Sequence, residues 1–273
     1  MKKILSFSAV LVASALVLAG CASKPDVINV GSDIPYAPME MFDANNKPIG
    51  FDVDLAYAIG KKLGKKVVFE KQAFDTLIPS LQSGKHDLAM SSMSDTTDRQ
   101  KKLDFVDYFN GGASILVAKG NPSNIHAIGD LCGKPVAAES ATWEVDLLKS
   151  TGDDCVKAGK QTVTTLALPS DTDAQNAVRS GKAVAYLADS QLAAYTVKVA
   201  GDGQYFELVT DPANPFGYES GLIGIGILKG SPLTADVQKA MQSLMDDGTY
   251  DALLKKWNLE SFKINKATLN GTK

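Results

Sequence analysis

Short apolar runs alternate with amphipathic segments along this chain, a pattern typical of α/β proteins. The apolar run Val27–Val30 predicts a buried strand, and Val67–Phe69 predicts another. Between them, apolar side chains recur every four residues up to Leu63, which predicts a helix that opens at Gly50 with Asp52 as its N-cap. Such a βαβ order indicates a mostly parallel sheet flanked by helices.

The tripeptide Ser-Gly-Lys occurs twice, at 83–85 and 180–182, each time between a predicted helix and a predicted strand. Glycine just past a helix supplies the left-handed residue that ends it. The first strand ends in Ser91 and Ser92, and the second ends in Asp189. Because ligands bind outside the carboxyl ends of strands in open α/β sheets, we expect these side chains to converge on one crevice from two sheets.

Two glycine-containing β-rich segments predict crossings between two lobes. Gly111-Gly112 precedes the run 113–118, and 221–228 alternates glycine with isoleucine and leucine. We therefore expect lobe 1 to comprise 27–112 and 222–263, lobe 2 to comprise 113–221, and the polar tail 264–273 to be flexible.

The N-terminus has the features of a secretory signal. Lys2 and Lys3 precede an apolar run that is too short for a membrane span, and small residues follow it. The sequence Leu18-Ala19-Gly20-Cys21 resembles a bacterial lipobox, which predicts cleavage of residues 1–20 and lipidation of Cys21, with 21–26 as a tether. The alternative is an ordinary signal peptide cut nearby.

The two remaining cysteines, Cys132 and Cys155, form an even pair in a compartment that favours oxidation. We expect them to form a disulfide. The alternative is a pair of buried thiols, and neither cysteine has the spacing of a metal site.

Charge and motifs exclude several classes of function. The chain has 28 basic and 31 acidic side chains. It has no block of basic residues with interleaved aromatics, which argues against nucleic-acid binding. His86 and His126 have no metal-ligand partner at helical spacing, and the chain has no dinucleotide, phosphate-loop or hydrolase signature. We expect no metal, no cofactor and no nucleic-acid partner, although acid–base chemistry by carboxylates stays open.

The segment from Ser91 to Arg99 is the strongest local constellation. Hydroxyl groups follow the strand end, and Asp95 or Thr96 is expected to cap a helix that carries Arg99 in its first turn. Free N–H groups, hydroxyls and a guanidinium together suit a carboxylate ligand. The alternative is a capped surface helix with a solvated arginine.

Several ordered motifs resemble the polar-amino-acid branch of bacterial solute-binding proteins, which serve ABC importers. They span about Val27 to Trp257 and include Gly31-Ser32-Asp33-x-x-Tyr36-x-Pro38, Gly50-Phe51-Asp52-Val53-Asp54-Leu55-Ala56, Phe74-Asp75-x-Leu77-Ile78-Pro79-x-Leu81, Asp104-Phe105 and Asp247-Gly248-Thr249-Tyr250. The resemblance implies a two-lobed α/β clamp, each lobe a mostly parallel sheet flanked by helices, with two crossing strands and a ligand between the lobes. The spacing of Cys132 and Cys155 also resembles a disulfide of lipoprotein members.

The resemblance also implies roles for individual residues. Arg99 matches the arginine that binds the ligand α-carboxylate, with Ser92 beside it, and Asp189 matches the carboxylate that binds the α-ammonium group. The other matched positions are headgroup contacts at Ser91 and Ser94, aromatic walls at Tyr36 and Phe74, and a second-lobe hydroxyl at Thr142. Trp143 departs from the family pattern and puts that second-lobe contact in doubt.

By the same correspondence, Asp33 and Glu139 face the distal part of the ligand, which favours a cationic or strongly hydrogen-bonding tip. The alternative is that Asp33 caps its own loop and that Glu139 points to solvent. We expect a lipid-anchored monomer on the outer face of the cytoplasmic membrane that delivers an amino acid to permease subunits. An enzyme resembling cyclohexadienyl dehydratase is the second candidate, and an inert adhesin is the third.

Overall fold

The structure is a computed structural model that describes residues 27–214 and 217–272. The predicted signal peptide, the lipidated Cys21 and the tether lie outside the described residues. None of the helices within the described ranges is both long and apolar enough to cross a membrane.

Eleven strands and seven helices make up the described fold. The strands are β1 (Val27–Ser32), β2 (Met41–Phe42), β3 (Pro48–Ile49), β4 (Lys66–Lys71), β5 (Leu88–Ala89), β6 (Leu103–Ala118), β7 (Pro135–Glu139), β8 (Thr164–Leu168), β9 (Ala185–Asp189), β10 (Phe206–Leu208) and β11 (Tyr218–Leu228). The helices are α1 (Phe51–Leu63), α2 (Phe74–Gln82), α3 (Trp143–Lys157), α4 (Asp171–Arg179), α5 (Ser190–Val199), α6 (Leu233–Asp246) and α7 (Thr249–Trp257).

Nine strands form one hydrogen-bonded sheet in the order β4-β1-β5-β11-β6-β9-β7-β8, with β10 also paired to β6. The two crossing strands, β6 and β11, are antiparallel to each other, and β9 pairs with the distal half of β6. Because β6 is long enough to serve as a ladder strand in both halves of the molecule, the expected sheets of the two lobes are continuous with each other.

The apolar interior is nevertheless divided into separate clusters on either side of the crossing. Along β6 the division falls between Phe109 and Ala113, and along β11 it falls between Tyr218 and Ile223. Lobe 1 contains β1, β4, β5 and four helices (α1, α2, α6 and α7), whereas lobe 2 contains β7 to β10 and α3 to α5. This division is compatible with the expected lobe bounds.

The two Ser-Gly-Lys units have the structure expected from the sequence. Gly84 and Gly181 both have a φ of 74°, the left-handed conformation that follows a helix end. The strands that follow are β5, which covers only two residues, and β9. Both strands point their carboxyl ends at the space between the lobes.

The start of α1 corrects the expected N-cap. Gly50, with a φ of 140°, occupies the cap position, and a Cβ there would lie 2.1 Å from the carbonyl oxygen of Met39. Asp52 is instead fully buried, where its Oδ2 accepts hydrogen bonds from the Ser92 N–H (3.0 Å) and the Tyr108 hydroxyl (2.9 Å). Tertiary packing thus takes the carboxylate away from the helix terminus.

The C-terminal tail is bound to β6, which corrects the expected flexible tail. Asn270 and Phe105 exchange hydrogen bonds, through the Asn270 N–H to the Phe105 carbonyl (2.9 Å) and the Phe105 N–H to Asn270 Oδ1 (2.8 Å). Asp107 Oδ2 accepts from the Thr268 hydroxyl (2.6 Å) and the Gly271 N–H (3.0 Å). Burial raises the pKa of Asp107 to about 7. The polar side chains of the tail therefore serve as partners for lobe 1.

Cys132 and Cys155 form the expected disulfide, with their Cα atoms 5.6 Å apart. Cys155 is buried in α3 and belongs to the core of lobe 2. The bond joins α3 to the segment that leads into β7.

Candidate functional site

The carboxyl ends of β1, β5, β7 and β9 meet at a small cavity of about 10 Å³ between the lobes. Its walls include most of the residues that the sequence singled out, together with one that it did not, Glu144. The lining residues are Tyr36, Phe74, Ser91, Ser92, Ser94, Glu139, Thr142, Trp143, Glu144 and Asp189. Their roles as ligand contacts stay a prediction.

Asp189 lies at the centre of the contacts that join the two lobes. Its Oδ2 accepts hydrogen bonds from the Tyr36 hydroxyl (2.9 Å) and from Ser92 Oγ (3.1 Å), both of which belong to lobe 1. Burial raises the pKa of the Asp189 carboxyl, and hydrogen bonds from Glu144, Tyr36 and Ser92 oppose that effect. The clamp is therefore closed in this structure, with Asp189 enclosed.

Arg99 also spans the boundary between the lobes. Its Nη1 donates to the carbonyl of Ser94 (2.9 Å), and its Nη2 donates to the carbonyl of Ala141 in lobe 2 (3.0 Å). The guanidinium lies 5.4 Å from the ring centre of Phe74, and burial lowers its pKa. These contacts exclude the alternative of a freely solvated arginine.

The local structure around Arg99 differs from the expected helix. Arg99–Lys101 forms a single 3₁₀ turn, and Thr96 Oγ1 accepts the N–H of Arg99 (3.2 Å). Asp98 occupies the N-cap position and makes no side-chain capping bond, so the expectation that Asp95 or Thr96 would be the cap is wrong. The turn is also too short to supply the row of free N–H groups that a longer helix offers.

Asp33 and Glu139 approach each other across the cleft, one from each lobe. Burial raises the pKa of both carboxyls, and a hydrogen bond with Asp33 raises that of Glu139 further, to about 10. Glu139 is 4% exposed, so the alternative in which it points to solvent is wrong. Asp33 Oδ2 accepts the first N–H of α2, at Phe74 (3.2 Å), rather than capping its own loop.

Glu144 was missed by the sequence analysis. It lies in the first turn of α3, is 4% exposed, and hydrogen bonds with Asp189. Burial and the neighbouring Asp189 raise its pKa well above the ordinary value. An acid in the first turn of a helix is usually explained by the helix dipole, so the sequence carried no separate signal for its burial.

A second layer of buried acids supports the serines from below. The Ser91 hydroxyl donates to Glu40 (2.6 Å) and accepts the N–H of Asp33 (3.0 Å). Ser92 has a φ of 47°, a conformation uncommon outside glycine, and its N–H is bound by Asp52. Burial raises the pKa of Asp52 to about 7. This layer fixes the orientation of both serines.

The second-lobe stretch that departs from the family pattern forms one wall of the cavity. The Thr142 hydroxyl donates to the carbonyl of Glu139 (2.7 Å), which holds the loop before α3. Trp143 begins α3 and lines the cavity. No group of three or more His, Cys, Asp or Glu residues in the described ranges is placed to hold a metal ion.

The fold and the site geometry define a two-lobed α/β clamp, and the comparisons identify its family. Residues 28–260 match the bacterial extracellular solute-binding proteins, family 3, and the chain belongs to this family, which confirms the resemblance seen in the motifs.

Individual relatives share most of their length with this chain. The lysine/arginine/ornithine-binding periplasmic protein of Escherichia coli (strain K12) is 30% identical over 94% of this chain and 97% of its own. The arginine-binding protein ArgT of Corynebacterium glutamicum is 29% identical over 89% of this chain and 78% of its own.

Among solved structures, an ancestral arginine-binding protein bound to arginine matches with a TM-score of 0.76 and 34% identity, over 85% of this chain and 98% of that one. The ancestral amino acid-binding protein AncCDT-1, a precursor of cyclohexadienyl dehydratase, matches with a TM-score of 0.71 and 34% identity, over 85% of this chain and 95% of that one. The two-lobed fold predicted from the sequence is confirmed.

Proposed function

We propose that this protein is the lipid-anchored substrate-binding component of an ABC importer and that it captures a cationic L-amino acid between its lobes. The observation that carries the proposal is the charge balance of the cleft. Four carboxyl groups, from Asp33, Glu139, Glu144 and Asp189, lie in or beside the cavity. The guanidinium of Arg99 lies over the ring of Phe74, which lines the same cavity. Burial raises the pKa of all four carboxyl groups, and a bound cation would favour their ionised form.

The headgroup of the ligand would be bound by charges from both lobes. Arg99 is rigidly held by two carbonyls and is oriented over Phe74, which suits a planar carboxylate. Asp189 and Ser92, which line the cavity, offer acceptors for the α-ammonium group.

The side chain of the ligand would extend towards Asp33 and Glu139. Tyr36, Phe74 and Trp143 supply flat aromatic faces to the aliphatic stem, and the two carboxyls would bind a cationic tip. The names of the relatives support this choice, since they bind arginine, lysine or ornithine. We expect arginine, lysine or ornithine to bind best, glutamine next and glutamate weakly.

A panel of amino acids tests the proposal directly. Ligands that bind only the folded state raise the unfolding temperature, so thermal shift followed by isothermal titration would rank the panel. Tighter binding of glutamate or aspartate than of arginine near neutral pH would contradict the charge argument. A protein that responds to no amino acid would favour the adhesin.

Arginine binding should release protons, and its affinity should therefore rise with pH. Glu139, with a pKa of about 10, holds a proton at pH 7, and an incoming guanidinium favours the ionised form. Because the bound state then holds fewer protons than the free state, the association constant increases between about pH 6 and pH 8.5 by linkage. Titrations in two buffers with different ionisation enthalpies measure the protons released.

Two controls accompany the proton measurement. Glutamine, whose tip is neutral, should release fewer protons than arginine, and the Glu139→Gln variant should lose much of the pH dependence. An arginine affinity that is constant over this pH range, with equal heats in both buffers, would show that the carboxyls stay protonated in the complex.

Replacing Cys21 with serine should release the protein from the membrane. A lipobox cysteine carries two acyl chains through its diacylglyceryl group, and two chains anchor a protein stably where one is marginal. Fractionation of cells that express Cys21→Ser should find the protein in the soluble extracytoplasmic fraction or the medium. A variant that sediments with membranes like the wild type would contradict the anchor.

A dehydratase resembling cyclohexadienyl dehydratase is the second candidate, because a precursor of that enzyme shares the fold at 34% identity. The raised pKa of Glu144 keeps a proton available for donation in the cleft. Incubation with arogenate or prephenate tests this activity, and we expect no aromatic product.

A further inference from the structure

Gln191 lies two residues after Asp189, at the start of α5, and is 1% exposed. We propose that Gln191 is a positioning residue that joins the two lobes in the closed clamp and slows release of the ligand. The inference rests on the proposed function, since it concerns the same cleft, and it adds to the site a residue that neither the motifs nor the family correspondence indicated.

The amide of Gln191 connects three side chains through one nitrogen. Its Nε2 donates to Ser92 Oγ (2.7 Å) and to Asp189 Oδ2 (3.0 Å), and Ser92 Oγ itself donates to Asp189 Oδ2 (3.1 Å). A primary amide nitrogen carries two hydrogens, so both donations can be made at once. Ser92 belongs to lobe 1, whereas Gln191 and Asp189 belong to lobe 2, so this triangle can exist only when the clamp is closed.

A glycine of the crossing strand β6 leaves room for the amide. A Cβ at Gly111 would lie 3.4 Å from Gln191 Oε1 and 2.7 Å from the Ile223 side chain, so the absence of a side chain at 111 leaves the space that the amide uses. Oε1 is buried and has no hydrogen-bond donor. A buried amide that leaves its oxygen unpaired is unfavourable, and the bond from its nitrogen to Ser92, which crosses between the lobes, offsets part of that loss only in the closed form.

This triangle of hydrogen bonds also orients Asp189, the carboxylate that we propose as the partner of the ligand α-ammonium group. Three donors, the hydroxyl of Tyr36, the hydroxyl of Ser92 and the amide of Gln191, converge on Asp189 Oδ2. They fix the carboxylate plane and stabilise its ionised form. Loss of the amide should therefore affect the lifetime of the closed complex more than the first encounter with the ligand, which takes place in the open clamp.

The deciding experiment measures association and dissociation rates for arginine by stopped-flow fluorescence. Gln191→Met keeps the length of the side chain but lacks the amide, so we expect dissociation about tenfold faster, with association changed less than twofold. Gln191→Glu keeps the shape but places a second carboxylate against Asp189. It should dissociate faster still at pH 8 and recover in part at pH 5, where the protonated acid can donate again.

Gln175→Met is the matched control. The Gln175 Nε2 donates to Asp171 Oδ2 (2.5 Å), and both residues belong to lobe 2, so this bond does not join the lobes. The dissociation rate of this variant should equal that of the wild type, and cooperative thermal unfolding of each variant checks folding. A dissociation rate for Gln191→Met within twofold of the wild type, or a loss confined to association, would overturn the inference.

If the wild type bound no amino acid, the proposed function would fail while the bridge itself could still be examined. In that case small-angle X-ray scattering of the ligand-free proteins decides. A larger radius of gyration for Gln191→Met than for wild type and Gln175→Met supports the bridge, and equal values contradict it.

Discussion

Arg99→Ala and Asp189→Ala should each weaken amino-acid binding by about 1,000-fold, or about 4 kcal/mol. The ligand is a zwitterion, and closure of the clamp removes both of its charges from water. Removal of either protein charge leaves the opposite ligand charge buried without a partner. Isothermal titration with the best ligand of the panel measures the loss.

Arg99→Lys should fail to restore affinity. The guanidinium uses its planar fork to reach Ser94 in one lobe and Ala141 in the other, and an ammonium group cannot keep both bonds while it faces a carboxylate. Arg179→Ala is the matched control, since Arg179 lies on the exposed surface of α4 over the ring of Tyr205. Near-native affinity of Arg99→Ala would remove Arg99 from the proposed site.

Replacement of both cysteines by alanine should lower the free energy of unfolding by roughly 3 kcal/mol in the chain-entropy model, because the disulfide closes a loop with a sequence separation of 23 residues. Denaturant unfolding followed by circular dichroism would measure the loss. Ligand affinity should change little, since the bond lies in the body of lobe 2 rather than at the cleft.

The single variants provide the control for this measurement. Cys132→Ala and Cys155→Ala each break the same bond, so each should lose about as much stability as the double variant, apart from the burial of Cys155. Unfolding midpoints equal to that of the wild type, or two free thiols in the unreduced wild type by mass spectrometry, would contradict the structural role of the disulfide.

The arrangement of strands could be predicted because each element carries its own local signal. Gly84 and Gly181 mark helix ends, and the apolar runs that follow them become strands whose carboxyl ends reach the cleft. The topology then brings the residues at those strand ends, Ser92 and Asp189, to the same cleft. This part of the site could be predicted because it depends on signals between residues that are close in the sequence.

The errors share a different physical origin, since each depends on contacts between distant segments. Asp52 has the local chemistry of a cap, but Tyr108 and Ser92 draw it into the core. Glu144 has the local chemistry of a solvated first turn, but Asp189 lies opposite it. The polar tail indicated disorder until its partners on β6 were known. Composition reports how polar a segment is and not whether its polar groups will be paired.

The bound tail has a consequence for how this molecule could be divided. Because the tail pairs with Phe105 and Asp107, the last described residues belong to the same body as β1, where the described chain begins. Lobe 2 is thus a single uninterrupted insertion between β6 and β11, and it contributes Glu139, Trp143 and Asp189 to the cleft. Ligand selectivity could be exchanged between related proteins by transferring lobe 2 as one segment, while the body that holds both ends of the described chain is kept intact.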